Sequence, residues 1–342
     1  MDLFLFHHDR YRYFYNCSKY TAEEWTSFGQ KHNAAGCVSI FLASISFVLY
    51  VPCIKVMHEP EIWQFSCYKL MFLNGIVDLL GVAGGCLTGI LSLKGVVFCS
   101  YPTFLYVAGT FTVSQYGTQQ VISVLLALNR CLEFWNVPAL TGLFEGKRIY
   151  AWFMIPAIYF VCMVFFTVSC PFSSIVNMWM FDPYFGIPGI IDDKTFYLES
   201  IWIRSTNVIS FFVLNGAYVF LAASVIWKSS KGNTAFLNKV QKQGSCEIAA
   251  LICFTNTGCI TIYVCFQYFP TLLSPVFLMV DFFLWQWACC GPVFMYMIVN
   301  RRLRRGIIEF YLKICRYDPE SSPRIAGTED RRISNTVHPV PH

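Results

Sequence analysis

Apolar and charged positions alternate along this chain in long blocks. No Asp, Glu, Lys or Arg occurs from Ala34 to Ile54, from Leu79 to Leu93 or from Gly95 to Asn129. The same holds from Ile149 to Phe181, from Ser205 to Trp227, from Ile248 to Val280 and from Phe282 to Asn300. A hydrocarbon core about 30 Å thick takes roughly 20 apolar residues per helical crossing. Within it every backbone N–H and C=O must be satisfied inside the segment, so these runs are expected to be helices. Seven spans fit the pattern. The first is expected at Asn33–Lys55 and the second at Gln64–Leu93. The third runs Pro102–Arg130, Pro102 being suited to a first helical turn. The fourth runs Ile149–Cys170, with Pro171 as its stop, and the fifth Arg204–Trp227. Pro270 and Ser274-Pro275 divide the last apolar run into a sixth span, Glu247–Phe269, and a seventh, Leu272–Asn300.

Composition narrows the class. The chain is 56% hydrophobic and 13% charged, with mean hydropathy +0.51. A soluble domain carries about 25% charged residues. The expected fold is therefore an all-α membrane protein, a seven-transmembrane helix bundle over residues 33–300. Residues 1–32 precede it, polar and aromatic and without a basic segment followed by an apolar one, so the first span is expected to act as its own insertion signal. No internal repeat is visible, which argues against the repeat-built transporters.

Charge placement sets the expected orientation. With the N-terminus outside, the cytoplasmic loops hold Lys55, Arg130, Lys147, Arg148, Lys228, Lys231, Lys239 and Lys242, and the C-terminal segment adds Arg301, Arg302, Arg304, Arg305, Lys313 and Arg316. The opposite side holds Lys94, Lys194 and Arg204 beside Asp182, Asp192, Asp193 and Glu199, although Arg10, Arg12, Lys19 and Lys31 dilute the contrast. The bias places the chain in the cell membrane with its N-terminus outside and its C-terminus cytoplasmic. Asn16-Cys17-Ser18 is then an external sequon, with Asn16 as the glycan acceptor.

Most of the 16 cysteines fall inside expected helices and read as small packing residues. Cys17, Cys99 and Cys170 lie at the outer face, where an oxidising exterior favours disulfides. No catalytic motif and no metal-ligand spacing occurs, so neither an enzyme nor a metal or cofactor site is expected. Nothing points to nucleic acid as a partner.

The candidate chemistry lies inside the spans. Asp78 in the second and Asp281 in the seventh each cost about 2.5–3.5 kcal/mol on insertion scales, which marks them as functional candidates. Asp281 lies about 16 Å outward of Pro292 along its helix, a depth that suits a pocket open to the exterior. Asp78 is expected to be a core polar group. In the third span Thr112, Gln115, Tyr116 and Gln119 share one helical face. With Asp281 and Trp285 they make the expected ligand pocket. Gly81, Gly85 and Gly89 form two overlapping G-x-x-x-G steps that permit close helix approach. Residues 301–316 read as a basic amphipathic helix with Leu303, Ile307, Ile308, Tyr311, Leu312 and Cys315 on its apolar side. It is expected on the inner leaflet, in contact with membrane lipid, with Cys315 as a palmitoylation candidate. The tail, residues 317–342, is rich in Pro, Ser and charge and expected to be disordered.

Several local patterns then occur in one order. They are Tyr15-Asn16-Cys17-Ser18, Cys67-Tyr68-Lys69-Leu70-Met71 and Val97-Phe98-Cys99-Ser100-Tyr101-Pro102. Leu128-Asn129-Arg130-Cys131, Leu143-Phe144-Glu145-Gly146 and Phe181-Asp182-Pro183-Tyr184 follow. From about Tyr15 to Arg316 the chain resembles the nematode serpentine receptors of class T, a seven-helix chemoreceptor family. The resemblance implies a chemosensory receptor of the G-protein-coupled type, with a small-molecule ligand outside and a heterotrimeric G protein inside. It implies a tether from Cys99 to an outer segment, for which Cys17 and Cys170 are both candidates. Arg130, with Lys228, Lys231, Lys239 and Lys242, would meet the G protein. Asn129 stands where rhodopsin-like receptors carry an acidic residue, which puts an ion-pair lock at Arg130 in doubt. The rival reading is a seven-helix transporter or a ligand-gated channel, told apart by ligand-evoked current in cells depleted of G-protein signalling.

Overall fold

The computed structural model describes residues 1–135, 142–190, 201–230, 257–258, 260–262, 265 and 275–315. The protein is a bundle of long apolar helices, and five of those described are long and apolar enough to cross a membrane. The first span is Asn33–Met57, the second Ser66–Lys94 and the third Pro102–Trp135. The fourth is Ile149–Phe166, the fifth Ile201–Ser230 and the seventh Pro275–Val299. Most of the sixth lies outside the described residues; of it, Thr257, Gly258, Ile260, Thr261, Ile262 and Cys265 are helical. The third span is the polar one. Gln115, Thr118, Gln119 and Gln120 are all buried in it, and it packs against the second, fourth and fifth spans. That central position lets a helix with so many amides stand in a bilayer.

Two boundaries move from those the sequence suggests. The third span continues past Arg130 to Trp135, because Arg130 and Glu133 pair one turn apart at 3.4 Å and no helix breaker intervenes. The fourth ends at Phe166, four residues before Cys170. From Thr167 the chain is extended and crosses the third span, where Ser169 Oγ donates to the Tyr106 carbonyl at 2.6 Å.

Consecutive spans alternate between two faces, here named for the chain segments they carry. On the N-terminal face residues 1–32 are folded, with short helices at Asp2–Leu5, His8–Phe14 and Ala22–Ser27. The last opens on a capping box in which the Thr21 N–H donates to Glu24 and the Glu24 N–H to Thr21 Oγ1. Those bonds hold the Glu24 carboxyl below its usual range. Trp25 is fully buried and donates to the Cys17 carbonyl at 2.9 Å. Of the two partners open for Cys99, the structure joins Cys17, with Cα atoms 5.5 Å apart; Cys170 is a buried free thiol. The loop after the fourth span forms a hairpin, strands Phe172–Ser173 and Met178–Trp179 paired antiparallel. Ser174 binds the N-terminal segment twice, through Oγ to the Gln30 N–H and through its carbonyl to His32 Nε2. Tyr184 donates to the Asn16 carbonyl at 3.0 Å.

On the C-terminal face the helix Arg301–Cys315 is capped by Asn300, whose Oδ1 accepts from the Arg302 and Leu303 N–H groups. Its apolar side divides in two. Leu303 and Ile307 are buried with Val56 and Met57 of the first span, whereas Ile308, Leu312 and Cys315 stay exposed. Arg302 also pairs with Glu61 at 3.1 Å.

Glycines set the closest approaches. Gly36 and Gly89 let the first and second spans touch backbone to backbone; a Cβ on either would lie 2.8 Å from the other's carbonyl oxygen. Gly81 and Gly85, from the same stripe, instead face Cys289 and Gln286 of the seventh span. At Gly109 a Cβ would lie 2.4 Å from the Cys170 carbonyl oxygen. Overpacking against immovable backbone costs about 1–3 kcal/mol, so Gly109→Ala should lower the unfolding temperature in detergent. Gly216→Ala, where a Cβ meets nothing within 4 Å among the described residues, should leave it within about 0.5 kcal/mol of the parent. Equal melting curves for the two variants would contradict the packing described here.

Candidate functional site

A cavity with about 620 Å³ of open space lies between the third, fifth and seventh spans beneath the hairpin. Thr112, Val113 and Tyr116 line it from the third span, Asp281, Phe282 and Trp285 from the seventh. Cys170, Met178, Trp179 and Phe181 of the loop form its wall towards the N-terminal face. Trp179 is fixed by donating to Thr88 Oγ1 at 2.9 Å. Ile203 and Asn207 enter from the fifth span, where Tyr116 donates to Asn207 Oδ1 at 3.2 Å. The wall is mostly apolar and aromatic, and Asp281, 4% exposed, is the one carboxylate that lines it among the described residues. A binding site of this composition grips by shape and fixes orientation through a few polar groups.

Below it the helices meet in a polar core. Asp78 is wholly buried on the second span. Tyr50 of the first span donates to its Oδ2 at 2.8 Å, and Asn74 donates to the same oxygen at 2.6 Å. Gln119 of the third span donates to Oδ1 at 2.8 Å and to the Ala288 carbonyl of the seventh at 2.8 Å. The Tyr50 hydroxyl also lies 2.9 Å from the Cys289 carbonyl. One carboxyl thus ties four helices. Nearer the N-terminal face Gln286 donates to the Ser39 carbonyl, and Ser39 Oγ donates to the Gly85 carbonyl, each at 2.8 Å.

The C-terminal end of the third span holds a second polar cluster. Asn129 donates to Ser66 Oγ at 3.1 Å, and Ser66 donates to Glu133 at 2.9 Å. Glu133 is the acid paired with Arg130, whose other terminal nitrogen lies 3.9 Å from Met71 Sδ. An acid one turn later therefore takes the place of the acidic neighbour that Asn129 replaces. Arg130 is not a free guanidinium in water or headgroups, as its place at a helix end suggests; Glu133 and Met71 hold it half-buried.

The whole-chain comparisons add the family. The model of the serpentine type 7TM GPCR chemoreceptor Srt matches residues 1–318. The chain belongs to the Srt chemoreceptor family. It is similar to serpentine receptor class T-55 of Caenorhabditis elegans, 23% identical over 339 residues, with 94% of this chain and 86% of that protein covered. The family is one of GPCR-like membrane receptors and not of enzymes.

In this Srt receptor the residues grouped from sequence divide among three places. Thr112, Tyr116, Asp281 and Trp285 line the cavity. Gln115 lies beside it, towards the second and fourth spans. Gln119, expected on the pocket face, points instead into the polar core, because Asp78 and the Ala288 carbonyl both draw its amide. A shared helical face runs the full depth of the bundle, so spacing alone does not separate an upper site from a lower one. Asn207 and the loop residues were missed. Asn207 sits in an apolar run, and nothing in the sequence folds residues 170–181 inward. Lys228 falls near the end of the fifth span, while Lys231, Lys239, Lys242 and the tail 317–342 lie outside the described residues.

An isosteric amide keeps one acceptor, for Gln119, and turns its N–H groups towards the Asn74 amide and the Tyr50 hydroxyl, which must rotate before either accepts, the hydroxyl then donating to the Cys289 carbonyl alone. Asp78→Asn is expected to destabilise the receptor by about 1–3 kcal/mol, the cost of an unsatisfied buried group. Asp78→Ala should cost at least as much. Thermal unfolding in one detergent compares them; a wild-type melting temperature for Asp78→Asn would show that the network does not hold the bundle.

Proposed function

We propose that this Srt receptor binds an external small molecule in the cavity beneath the hairpin and reports it to a heterotrimeric G protein at the opposite face. The observation that carries the reading is a mostly apolar cavity with a buried carboxylate, Asp281, in a chain of a chemoreceptor family. The N-terminal face is outside in this reading, in accord with the Lys and Arg distribution. Asn16, exposed beside the disulfide, is then the glycan acceptor. Cys315, exposed at the end of the surface helix, is the palmitoylation site. Ligand shifts the populations of two helix arrangements only as far as it binds one better than the other. Trp285 touches the cavity and lies one turn above Ala288 and Cys289, whose carbonyls join the polar core. It is one described connection from ligand to the Asp78 hub; Tyr116, one turn before Gln119, is another.

Two outcomes test this function. Asp281→Asn, at normal surface level, should weaken the response to a cationic agonist most. A neutral agonist should lose one hydrogen bond, about 1 kcal/mol or fivefold in potency. Unchanged dose–response curves for both kinds of agonist would place the ligand elsewhere. Arg130→Ala should keep ligand binding and cost under about 1 kcal/mol of stability, since partly exposed pairs are worth roughly that. It should abolish nucleotide exchange on a purified G protein with receptor in lipid discs, and full exchange would exclude coupling through Arg130. Neutralising two of Lys228, Lys231, Lys239 and Lys242 should reduce exchange only partly.

A further inference from the structure

A second cavity, with about 690 Å³ of open space, lies between the second, third and fourth spans. It differs from the first in kind. No charged side chain among the described residues lines it. Leu80 and Phe111, 53% and 47% exposed, stand at its rim on the bundle's surface, which in a membrane protein is the lipid side. Gly84, which has no side chain, and Ala108, with only a methyl group, are among its lining residues and leave room inside. Its deep end is closed by Thr112, Gln115 and Trp285.

Gln115 is the informative group. It is 3% exposed, and its Nε2 donates to the Val77 carbonyl at 3.2 Å. Its Oε1 is buried with no hydrogen-bond partner among the described residues. An amide oxygen left without a donor in an apolar medium costs free energy that a single O–H or N–H would recover. An acyl chain of bilayer lipid fits the apolar walls but brings no donor. A charged amphiphile brings one, together with a charge that this wall does not neutralise.

We propose that this cavity is a second binding site, for an uncharged lipophilic alcohol that enters from the bilayer. Its chain lies along Gly84 and Ala108, and its hydroxyl donates to Gln115 Oε1. Thr112 and Trp285 line both cavities, so an occupant here bears on the same two side chains as a molecule in the first. Any coupling between the two sites is then equal in both directions.

The test is direct binding, independent of signalling. A photoreactive medium-chain primary alcohol is crosslinked to the purified full chain in lipid discs, and labelled peptides are mapped by mass. Label is expected on the second and third spans and should be displaced by the plain alcohol. The alkane of equal length should displace it about fivefold less well, the equivalent of one hydrogen bond. Equal displacement by the alkane would overturn the alcohol assignment, leaving a slot for acyl chains. Gly84→Leu fills the space; its Cβ would meet nothing nearer than Trp285 Cη2 at 3.7 Å. It should cut labelling at least tenfold at an unchanged melting temperature. Unchanged labelling in that variant would overturn the site itself, and the alcohol–alkane comparison on the parent protein decides the chemistry whether or not the variant folds.

Discussion

The rest of the bundle is arranged around one buried carboxyl. Between helices in a bilayer the hydrophobic effect supplies no net attraction, because lipid tails are as apolar as the side chains they would replace. Register has to come from close packing and from polar contacts. Asp78 supplies the second, gathering Tyr50, Asn74 and Gln119, of which Tyr50 and Gln119 also reach carbonyls of the seventh span. Gly36 against Gly89 supplies the first. Together they fix the first, second, third and seventh spans to within hydrogen-bond tolerance. The fourth and fifth are joined through apolar packing and fewer bonds, such as Tyr116 to Asn207. The cavity sits on the border between the tied helices and the loosely tied ones, which is where a molecule can alter packing without breaking the hub.

Much of this was legible in the sequence, and the part that was not has a common cause. Charge-free runs locate the spans because the bilayer forbids isolated charge, a constraint acting on each segment alone. Asp78 and Asp281 stand out for the same reason. The order of short motifs reached the family before any contact was known. What the sequence hides is depth and partnership. Thr112, Gln115, Tyr116 and Gln119 share a face by helical period, yet the fold sends them to two cavities and the polar core. Arg130 carries its acid at Glu133, one turn on, where a search of adjacent positions does not look. The extended run after Phe166 depends on Gly109, 61 positions before the Cys170 carbonyl it faces, and no local pattern announces it.

The N-terminal segment makes the same point at larger scale. Its Trp25, Tyr15 and Leu3 are core residues, packed with Phe98, Tyr106, Phe172 and Tyr184 from three later parts of the chain. Read alone, residues 1–32 are a polar, aromatic leader to a membrane domain. In the fold they and the hairpin are one layer, joined by a disulfide and by hydrogen bonds to Ser174 and Tyr184. That layer forms the wall of the first cavity, so the shape offered to a ligand is set by segments far apart in sequence.

This layer also has a history during synthesis. Residues 1–32 are made before everything they pack against. Cys99 lies 82 positions on, and Ser174 and Tyr184 follow only after the fourth span has been made. The segment that begins the chain is therefore among the last to find its place. Until then Trp25 and its neighbours stand exposed on the side of the membrane where they were delivered. The native layer therefore requires Cys17 to stay unpaired until Cys99 has been made, and the aromatic face to stay uncommitted until the hairpin follows.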